Sequence, residues 1–142
     1  MDGSQAIGKS RAGRTTKIHA VTEDSRRLVS FLLTPGSSAD CAATIPLLSG
    51  FKVARQVLAD ETYDSDQFRD WLKRRGSTPV IPHKANRTAP HPFKPRRYRQ
   101  RNKIERMFCR LKDARRIATH DDKSAIAYLN AICLISTVYW WP

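Results

Sequence analysis

The chain has 142 residues, 40% of them hydrophobic, so it is long and apolar enough for one domain with a buried core and is not a disordered tail. Its 26 Lys and Arg residues against 13 Asp and Glu residues give a net charge of +13. This charge predicts a polyanionic partner, most simply DNA or RNA. An anionic membrane fits less well, because the cations do not form one amphipathic anchor.

The cysteines, the histidines and the N-terminus narrow the possible classes of protein. Cys41, Cys109 and Cys133 are odd in number and far apart, which argues against a zinc ribbon or a disulfide framework and favours a reducing compartment. The histidines lack metal-ligand spacing beside a cysteine, so we interpret them as ordinary surface or loop residues and predict no structural zinc. They are His19, His83, His91 and His120. No cationic stretch followed by an apolar one opens the chain, so we expect no secretory signal and a cytoplasmic location.

The first third of the chain predicts a hairpin and a short helix. Residues 1–14 are polar and Gly-rich, which is typical of a flexible or loosely paired N-terminal segment. Residues 15–22 alternate between apolar and polar side chains, and residues 28–33 are almost continuously apolar. Both are strand patterns, and the polar turn between them predicts an antiparallel hairpin. A short helix is predicted over residues 40–50.

The middle of the chain predicts a strand that ends in acid, followed by a helix. Residues 53–60 form an apolar strand pattern with Asp60 at the C-terminal tip. Either Asp64 or Ser65 can cap the next helix, which is predicted to end at Gly76.

The remaining elements complete an α/β pattern. Residues 78–81 predict a last short strand, and residues 82–95 form a poorly ordered, basic, Pro-rich loop suited to lie along a phosphate backbone. Two helices follow, and the second, within residues 121–142, is expected to be buried, because its apolar run is too short and too interrupted for a membrane span. The predicted order is β, β, α, β, α, β, α, α. Its first seven elements lie within residues 15–120 and give them the character of one α/β domain, and the last is the terminal helix.

The helix after the basic loop carries a stripe of candidate functional residues. Spacings of three, four and seven place four side chains within about 60° on an α-helix; they are Tyr98, Arg101, Glu105 and Lys112. A carboxylate between two cations and a phenol can hold a divalent metal and bind nucleic-acid phosphates. Glu105 is expected near the edge of the apolar face that packs on the core, with a set of cations facing solvent: Arg99, Lys103, Arg106 and Arg110. The alternative is a basic amphipathic helix in which Glu105 merely pairs with nearby cations.

Asp60 is the second candidate acid. In open α/β sheets ligands bind beyond the carboxyl ends of strands, so a strand that ends in Asp60 puts a carboxylate at that edge. The alternative is that Asp60, Glu61 and Asp64 form a solvated loop and a helix cap. Considered together with the Glu105 stripe, Asp60 favours a shared metal site, which requires the two carboxylates to converge in space.

These features resemble the C-terminal catalytic half of bacterial insertion-sequence transposases of the DDE type, which have a ribonuclease H-like fold. The matching segments are G-R-T-T-K-I-H-A-V-T at 13–22, F-L-L-T-P-G at 31–36, L-A-D-E-T-Y-D-S-D at 58–66, V-I-P at 80–82 and R-N-K-I-E-R-M-F-C-R-L-K-D-A-R-R-I-A-T at 101–119. The spacing of the stripe coincides with the Tyr-x2-Arg-x3-Glu-x6-Lys signature of that family.

The resemblance implies roles for individual residues. Asp60 would be the second catalytic acid and Glu105 the third, together holding Mg²⁺ (or Mn²⁺) for phosphodiester cleavage and joining at the ends of an insertion sequence. Arg101 and Lys112 would bind DNA beside the scissile phosphate, and Tyr98 would position the helix or stack near the transposon end. Further DNA-binding candidates are Lys103 and Arg106.

The sequence differs from the family pattern in the part before the predicted hairpin. Family members carry a first catalytic Asp on a strand before the hairpin, and here Asp2 is the only upstream acid, with no apolar strand to support it. We therefore expect a truncated domain that lacks the first central strand, binds metal weakly and is inactive in isolation. A non-catalytic, basic DNA-binding remnant of the same fold is the main alternative. An RNA-binding function is less favoured, since no RNA-recognition motif occurs. The apolar terminal helix leaves a homodimer open.

Overall fold

A computed structural model describes residues 8–10, 13–52, 54–115, 117 and 124–141. Its strands are β1 (Gly8–Ser10), β2 (Gly13–Thr22), β3 (Leu28–Pro35), β4 (Gln56–Leu58) and β5 (Thr78–Val80). Its α-helices are α1 (Thr44–Ser49), α2 (Asp66–Arg74), α3 (Pro95–Tyr98), α4 (Asn102–Lys112) and α5 (Ala125–Trp140). Short 3-10 turns span Asp40–Ala43, Glu61–Tyr63 and Arg99–Arg101. The mixture of strands and helices confirms the predicted α/β class.

The chain divides into two compact units. The first comprises Met1–Ser38 and Lys103–Pro142, and the second comprises Ala39–Asn102. Among the residues that the structure describes, every helix is too short or too polar to cross a bilayer.

The first unit contains an antiparallel sheet in the order β1-β2-β3. The hairpin of β2 and β3 forms as predicted, with an irregularity in the register between Val21 and Thr22. Strand β1 was not predicted, because residues 1–14 have no alternating pattern. It is only three residues long and is defined by its pairing with the start of β2, where Lys9 lies opposite Arg14.

The core of the first unit lies between the hairpin and two helices. Its buried members are Leu28 and Leu33 of β3, Met107 and Leu111 of α4, Ile117, and Tyr128, Ala131, Ile132 and Trp140 of α5. The predicted apolar face of α4 is confirmed by the burial of Met107 and Leu111. The one buried hydroxyl of this cluster is satisfied, because Tyr128 donates to the carbonyl of Ile117 at 3.1 Å.

Helix α5 buries only one of its faces, so the prediction of a buried terminal helix is correct for one side and wrong for the other. On the outer side, Ile126, Leu134 and Val138 are 69–73% exposed. The reason is that α5 is apolar around most of its circumference, whereas the sheet and α4 cover a single stripe. It carries no charged residue from end to end.

The second unit is built around β4 and β5, which pair in parallel from Gln56 with Thr78 to Leu58 with Val80. Strand β4 is shorter than the predicted strand over residues 53–60. Ser65 caps α2 by accepting a hydrogen bond from the amide of Phe68 at 3.2 Å, which decides between the two candidate caps. The described strands thus form two separate sheets, one in each unit, and not the single mixed sheet that was expected.

Candidate functional site

Asp60 lies directly beyond β4, separated from its last residue by Ala59. Its Oδ1 accepts hydrogen bonds from the amide of Thr62 at 3.0 Å and from the Thr62 hydroxyl, so Asp60 caps the turn Glu61–Tyr63. The carboxylate is still 31% exposed. Asp60 therefore has both properties considered for it: it is a turn cap, and it presents oxygen at the end of a strand.

Arg101 lies on the other carboxylate oxygen of Asp60. Its Nη2 is 3.3 Å from Oδ2, and its guanidinium carbon lies 5.8 Å from the centre of the Tyr98 ring. The 3-10 turn Arg99–Arg101 explains the second contact, because side chains three residues apart eclipse one another in that conformation. The second unit thus brings together Asp60, Tyr98 and Arg101, three of the predicted site residues.

The predicted stripe does not lie on one uninterrupted α-helix. The helical path passes from α3 through a 3-10 turn into α4, and this tighter turn changes the angle between Arg101 and the residues that follow. Glu105 and Lys112 are carried by α4 and are exposed. For Glu105 this corrects the prediction, which put it at the edge of the buried face.

The remaining DNA-binding candidates also lie on α4. Arg106 is exposed, as predicted. Lys103 is half-buried and does not simply face solvent, because its Nζ forms an ion pair with Oδ1 of Asp24 at 2.8 Å. Asp60 and Glu105 belong to different units, so their convergence stays a prediction.

Tyr63 lies close to the Asp60 carboxylate. Burial raises the pKa of Tyr63 to about 12, and the negative charges of Asp60 and Asp40 act in the same direction, while Arg101 opposes them. The phenol is therefore a neutral hydroxyl at physiological pH. Sequence reasoning did not single out Tyr63, although it belongs to the matching segment L-A-D-E-T-Y-D-S-D at 58–66.

The alternative interpretation of Asp64, as a helix cap or a solvated loop residue, is wrong. Its side chain is fully buried and pairs with Arg69, whose own side chain is 2% exposed, at 2.7 Å. Arg87 donates to both carboxylate oxygens, at 2.8 and 3.1 Å, and the amide of Lys84 donates at 3.0 Å. Burial opposes ionisation of Asp64, but the hydrogen bonds from Arg87, Lys84 and Arg69 outweigh it and hold the pKa of this carboxyl well below its usual range.

Arg87 extends this network into the basic loop. Its Nη1 donates to Oδ1 of Asp66 at 2.7 Å, and Nε2 of His91 lies 3.1 Å from the same oxygen. The loop over residues 82–95 has no helix or strand until Pro95, but it is tied to the body of the unit. Its prolines predicted a poorly ordered loop. The ion pairs could not be predicted, because their acids lie more than 20 residues before the loop residues that they bind.

The histidines also differ from expectation. His19, predicted to be an ordinary surface or loop residue, is buried in β2 with its Nε2 2.8 Å from the hydroxyl of Thr34. His91 is bound to Asp66, and His83 is exposed. His120 lies outside the described residues.

Comparison with known proteins decides the family. The family model for the transposase DDE domain matches residues 2–141. The chain belongs to the DDE transposase family. It is similar, at 33% identity over 127 residues, to a Brucella ovis protein called "Putative transposase for insertion sequence element IS6501", and the alignment covers 89% of this chain and 98% of that relative. No solved structure matches.

Family membership connects this DDE transposase chain with DNA transposition and implies interaction with DNA. Among the described residues, no three or more His, Cys, Asp or Glu side chains form a group that could hold a metal ion. The acids that remain candidates are Asp60 and Glu105.

Proposed function

We propose that this chain supplies the second and third catalytic acids of a ribonuclease H-like DDE transposase, Asp60 and Glu105, for phosphodiester cleavage and strand transfer at insertion-sequence ends. The observation that carries the proposal is the contact between Asp60 and Arg101, two residues 41 positions apart in the chain. It joins the acid at the strand end to the arginine of the family signature.

The donor chemistry suits a divalent metal. Mg²⁺ and Mn²⁺ prefer oxygen ligands, and Mg²⁺ is commonly bound by one or two carboxylates, with water and substrate phosphate oxygens completing the shell. Asp60 and Glu105 would be those carboxylates. When bound, the metal would stabilise the charge on the attacking and leaving oxygens of the phosphodiester.

The cations have separate roles in this proposal. Arg101 neutralises Asp60 in the chain alone, and next to DNA its planar guanidinium can donate two hydrogen bonds to a phosphate. Tyr98 supports that guanidinium with its ring. Lys112, Lys103 and Arg106 bind the DNA backbone from α4, and Lys103 exchanges Asp24 for a phosphate when it does so.

The alternative function, a basic DNA-binding protein without chemistry, is favoured by one observation. Both oxygens of Asp60 already have partners within the chain, namely Thr62 and Arg101. A metal must displace Arg101 or bind beside it. The two side chains are partly exposed, at 29% and 31%, so their pair should contribute not much more than the about 0.2–1 kcal/mol of a fully exposed pair. That barrier is small, so we retain the catalytic proposal.

Metal binding in the presence of DNA distinguishes the two functions. Electron paramagnetic resonance of Mn²⁺, after subtraction of the spectrum of DNA and Mn²⁺ alone, should detect a bound ion in the wild-type chain. Asp60→Asn or Glu105→Gln should abolish this signal without lowering DNA affinity, because each removes negative charge. Glu61→Gln is the matched control, since Glu61 is an exposed acid next to Asp60. Absence of a Mn²⁺ signal in the wild type, or a signal that survives both substitutions, would refute the catalytic proposal.

We also propose that the chain forms a homodimer through the exposed face of α5. Charge supports a second copy as the occupant: at a net charge of +13 two chains repel each other, and α5 is a surface without any charged residue. Its exposed apolar residues include Ile126, Leu134 and Val138. A two-fold axis through such a face would bury the same residues in both copies.

A further inference from the structure

One part of the second unit carries positive charge without any acidic residue. Residues 83–101, which we call the basic segment, contain seven Lys and Arg residues and no Asp or Glu. This run has no internal acids to neutralise it. Any counterions must come from elsewhere in the protein or from a partner.

Four of these cations are available to a partner. They are exposed, and their side chains form no ion pair or hydrogen bond with another described residue; they are Lys94, Arg96, Arg97 and Arg99. Three of them follow Pro95, the first residue of α3. An exposed group of unpaired cations is typical of a surface that binds a polyanion.

Arg87 has a different role within the same segment. Its guanidinium is held by Asp64 on one side and Asp66 on the other, and each of its three nitrogens already donates a hydrogen bond inside the protein. Together with the contact of His91 to Asp66, this holds the backbone of the loop in place. Ordering the segment before binding reduces the entropy lost when a partner binds.

The basic segment begins beside the proposed catalytic acid. An open depression of about 340 Å³ is lined on one side by Glu61 and Thr62, in the turn that Asp60 caps, and on the other by Lys84 and Asn86. The turn that Asp60 caps and the start of the basic segment therefore line the same depression.

The aromatic residues of the segment indicate how it recognises its partner. Phe93 and Tyr98 pack edge to face with ring centres 5.3 Å apart. They contact each other and do not form the open platform on which single-stranded bases stack. The segment also lacks the exposed apolar residues that a membrane anchor needs. Its chemistry is suited to a phosphate backbone.

We propose that the basic segment is a surface for the backbone of double-stranded DNA, preorganised by the clamp of Asp64 and Asp66 on Arg87. Arg96, Arg97 and Arg99 bind phosphates, and Arg87 acts as a positioning residue that does not contact DNA. The inference rests on the proposed function in one respect only, that DNA reaches Asp60. Binding to phosphates should be independent of base sequence.

The salt dependence of DNA binding tests the surface. The variant Arg96→Gln/Arg97→Gln/Arg99→Gln is compared with Lys52→Gln/Arg55→Gln/Arg74→Gln, which removes the same charge from exposed sites of the same unit. Binding to a duplex of arbitrary sequence is measured by fluorescence anisotropy with EDTA present, so the result does not depend on metal chemistry. The quantity compared is the salt slope, which is the slope of the logarithm of the binding constant against the logarithm of the salt concentration. Each lost phosphate contact reduces the magnitude of this slope by about 0.9, so we expect a reduction of about 2.7 for the first variant and of less than about 1 for the control.

Equal decreases of the salt slope in the two variants would refute the proposal that the basic segment is the DNA-binding surface, because they would show that only net charge matters. Parallel measurements with anionic vesicles and single-stranded RNA test the choice of partner. If the first variant weakens binding to either of these more than binding to the duplex, the assignment to DNA is wrong.

Two substitutions test the clamp of Asp64 and Asp66 on Arg87. For each of them, net charge alone predicts a DNA affinity different from the one that the clamp predicts. Asp66→Asn raises the net charge from +13 to +14, which by itself would tighten DNA binding, whereas loss of the clamp should weaken it roughly threefold to tenfold. Arg87→Lys keeps the charge but loses the planar fork, so it should weaken binding as much as Arg87→Gln does. Trypsin should cleave all three variants faster within the basic segment. Tighter binding by Asp66→Asn, or wild-type affinity in Arg87→Lys, would refute the clamp.

Discussion

Asp64 is a carboxylate with no exposed side-chain surface, so its charge is stabilised entirely by groups inside the protein. Arg69 links it to the end of β5, because the Nη2 of Arg69 also donates to the carbonyl of Ile81 at 2.8 Å. Arg87 links it to the basic segment. One buried carboxylate therefore joins α2, β5 and the following loop.

Neutralising Asp64 should destabilise the chain strongly. Asp64→Asn leaves the buried guanidinium of Arg69 without its counterion, and loss of one partner of a buried pair costs about 3–5 kcal/mol. Asp70→Asn is the control, since the pair of Asp70 with Lys73 is exposed and 3.9 Å long and should contribute less than about 1 kcal/mol. Urea unfolding followed by circular dichroism measures both. Similar losses in the two variants would show that burial of the pair has no special effect.

The same residue predicts sensitivity to acid. The pKa of Asp64 in the folded chain lies below its usual value of 3.8, so the unfolded chain takes up the proton first as the pH falls. The stability that Asp64 contributes is complete above about pH 5 and is lost as the pH falls below about 4 towards the folded pKa. The free energy of unfolding of the wild type should therefore decrease over this range more steeply than that of Asp64→Asn. Equal slopes would contradict this assignment.

The environment of a single residue could be predicted from the sequence only where it follows from the neighbouring residues in the chain. The location of Asp60 beyond a strand could be predicted, because an apolar run followed by acids indicates where a strand ends. The burial of Asp64 could not, because its partner Arg87 is 23 residues away and only the fold brings them together. For the same reason no spacing rule revealed that Lys103 pairs with Asp24.

At the scale of elements, the end of α2 depends on a left-handed residue. Gly76 has φ of 75°. Its amide bonds to the carbonyl of Lys73 at 2.9 Å, and the next amide, that of Ser77, bonds to the carbonyl of Leu72 at 3.0 Å. This pair of hydrogen bonds is a Schellman motif, which satisfies carbonyls left free at the helix end. It also directs the chain into β5.

Gly76→Ala should destabilise the second unit by about 1–2 kcal/mol, because a side chain disfavours the left-handed conformation. Gly50→Ala is the matched control at the end of α1. Gly50 has φ of −79°, and an added methyl group there meets no atom within 4 Å. That substitution should be neutral or stabilise the chain by up to about 1 kcal/mol. The midpoint temperatures of thermal unfolding should therefore shift in opposite directions in the two variants, or the shift should be clearly larger for Gly76→Ala.

The elements that were predicted correctly have strong local signals. The hairpin follows from alternation and a polar turn, and α2 follows from Ser65 and Gly76 at its two ends. Strand β1 and the 3-10 turn Arg99–Arg101 were missed for a physical reason. A three-residue strand exists only through its partner, and a 3-10 turn inside a helical run keeps nearly the same apolar spacing as an α-helix.

At the scale of the whole molecule, the basic segment and the apolar face of α5 belong to different units. The basic segment carries unpaired cations, whereas α5 has no charge and exposes apolar side chains. A helix that is apolar all round is usually buried on all sides. Sequence reasoning recognised the apolar helix and the excess of cations, but it could not show that one face of α5 remains exposed.

The proposed dimer leads to a prediction in which charge and packing oppose each other. Leu134→Glu/Val138→Glu adds two acids to the exposed face of α5. This lowers the net charge from +13 to +11, and weaker repulsion by itself favours association. If α5 is the interface, the variant should nevertheless become monomeric, because buried unpaired carboxylates are costly.

Sedimentation velocity measures the outcome against the chain mass of 16.2 kDa. The wild type should sediment at twice this mass and the double variant at the single mass. Phe51→Glu is the control, because Phe51 is also an exposed large apolar residue but lies in the second unit, and it should leave the dimer intact. A monomeric wild type, or a double variant that remains dimeric, would show that α5 has another role.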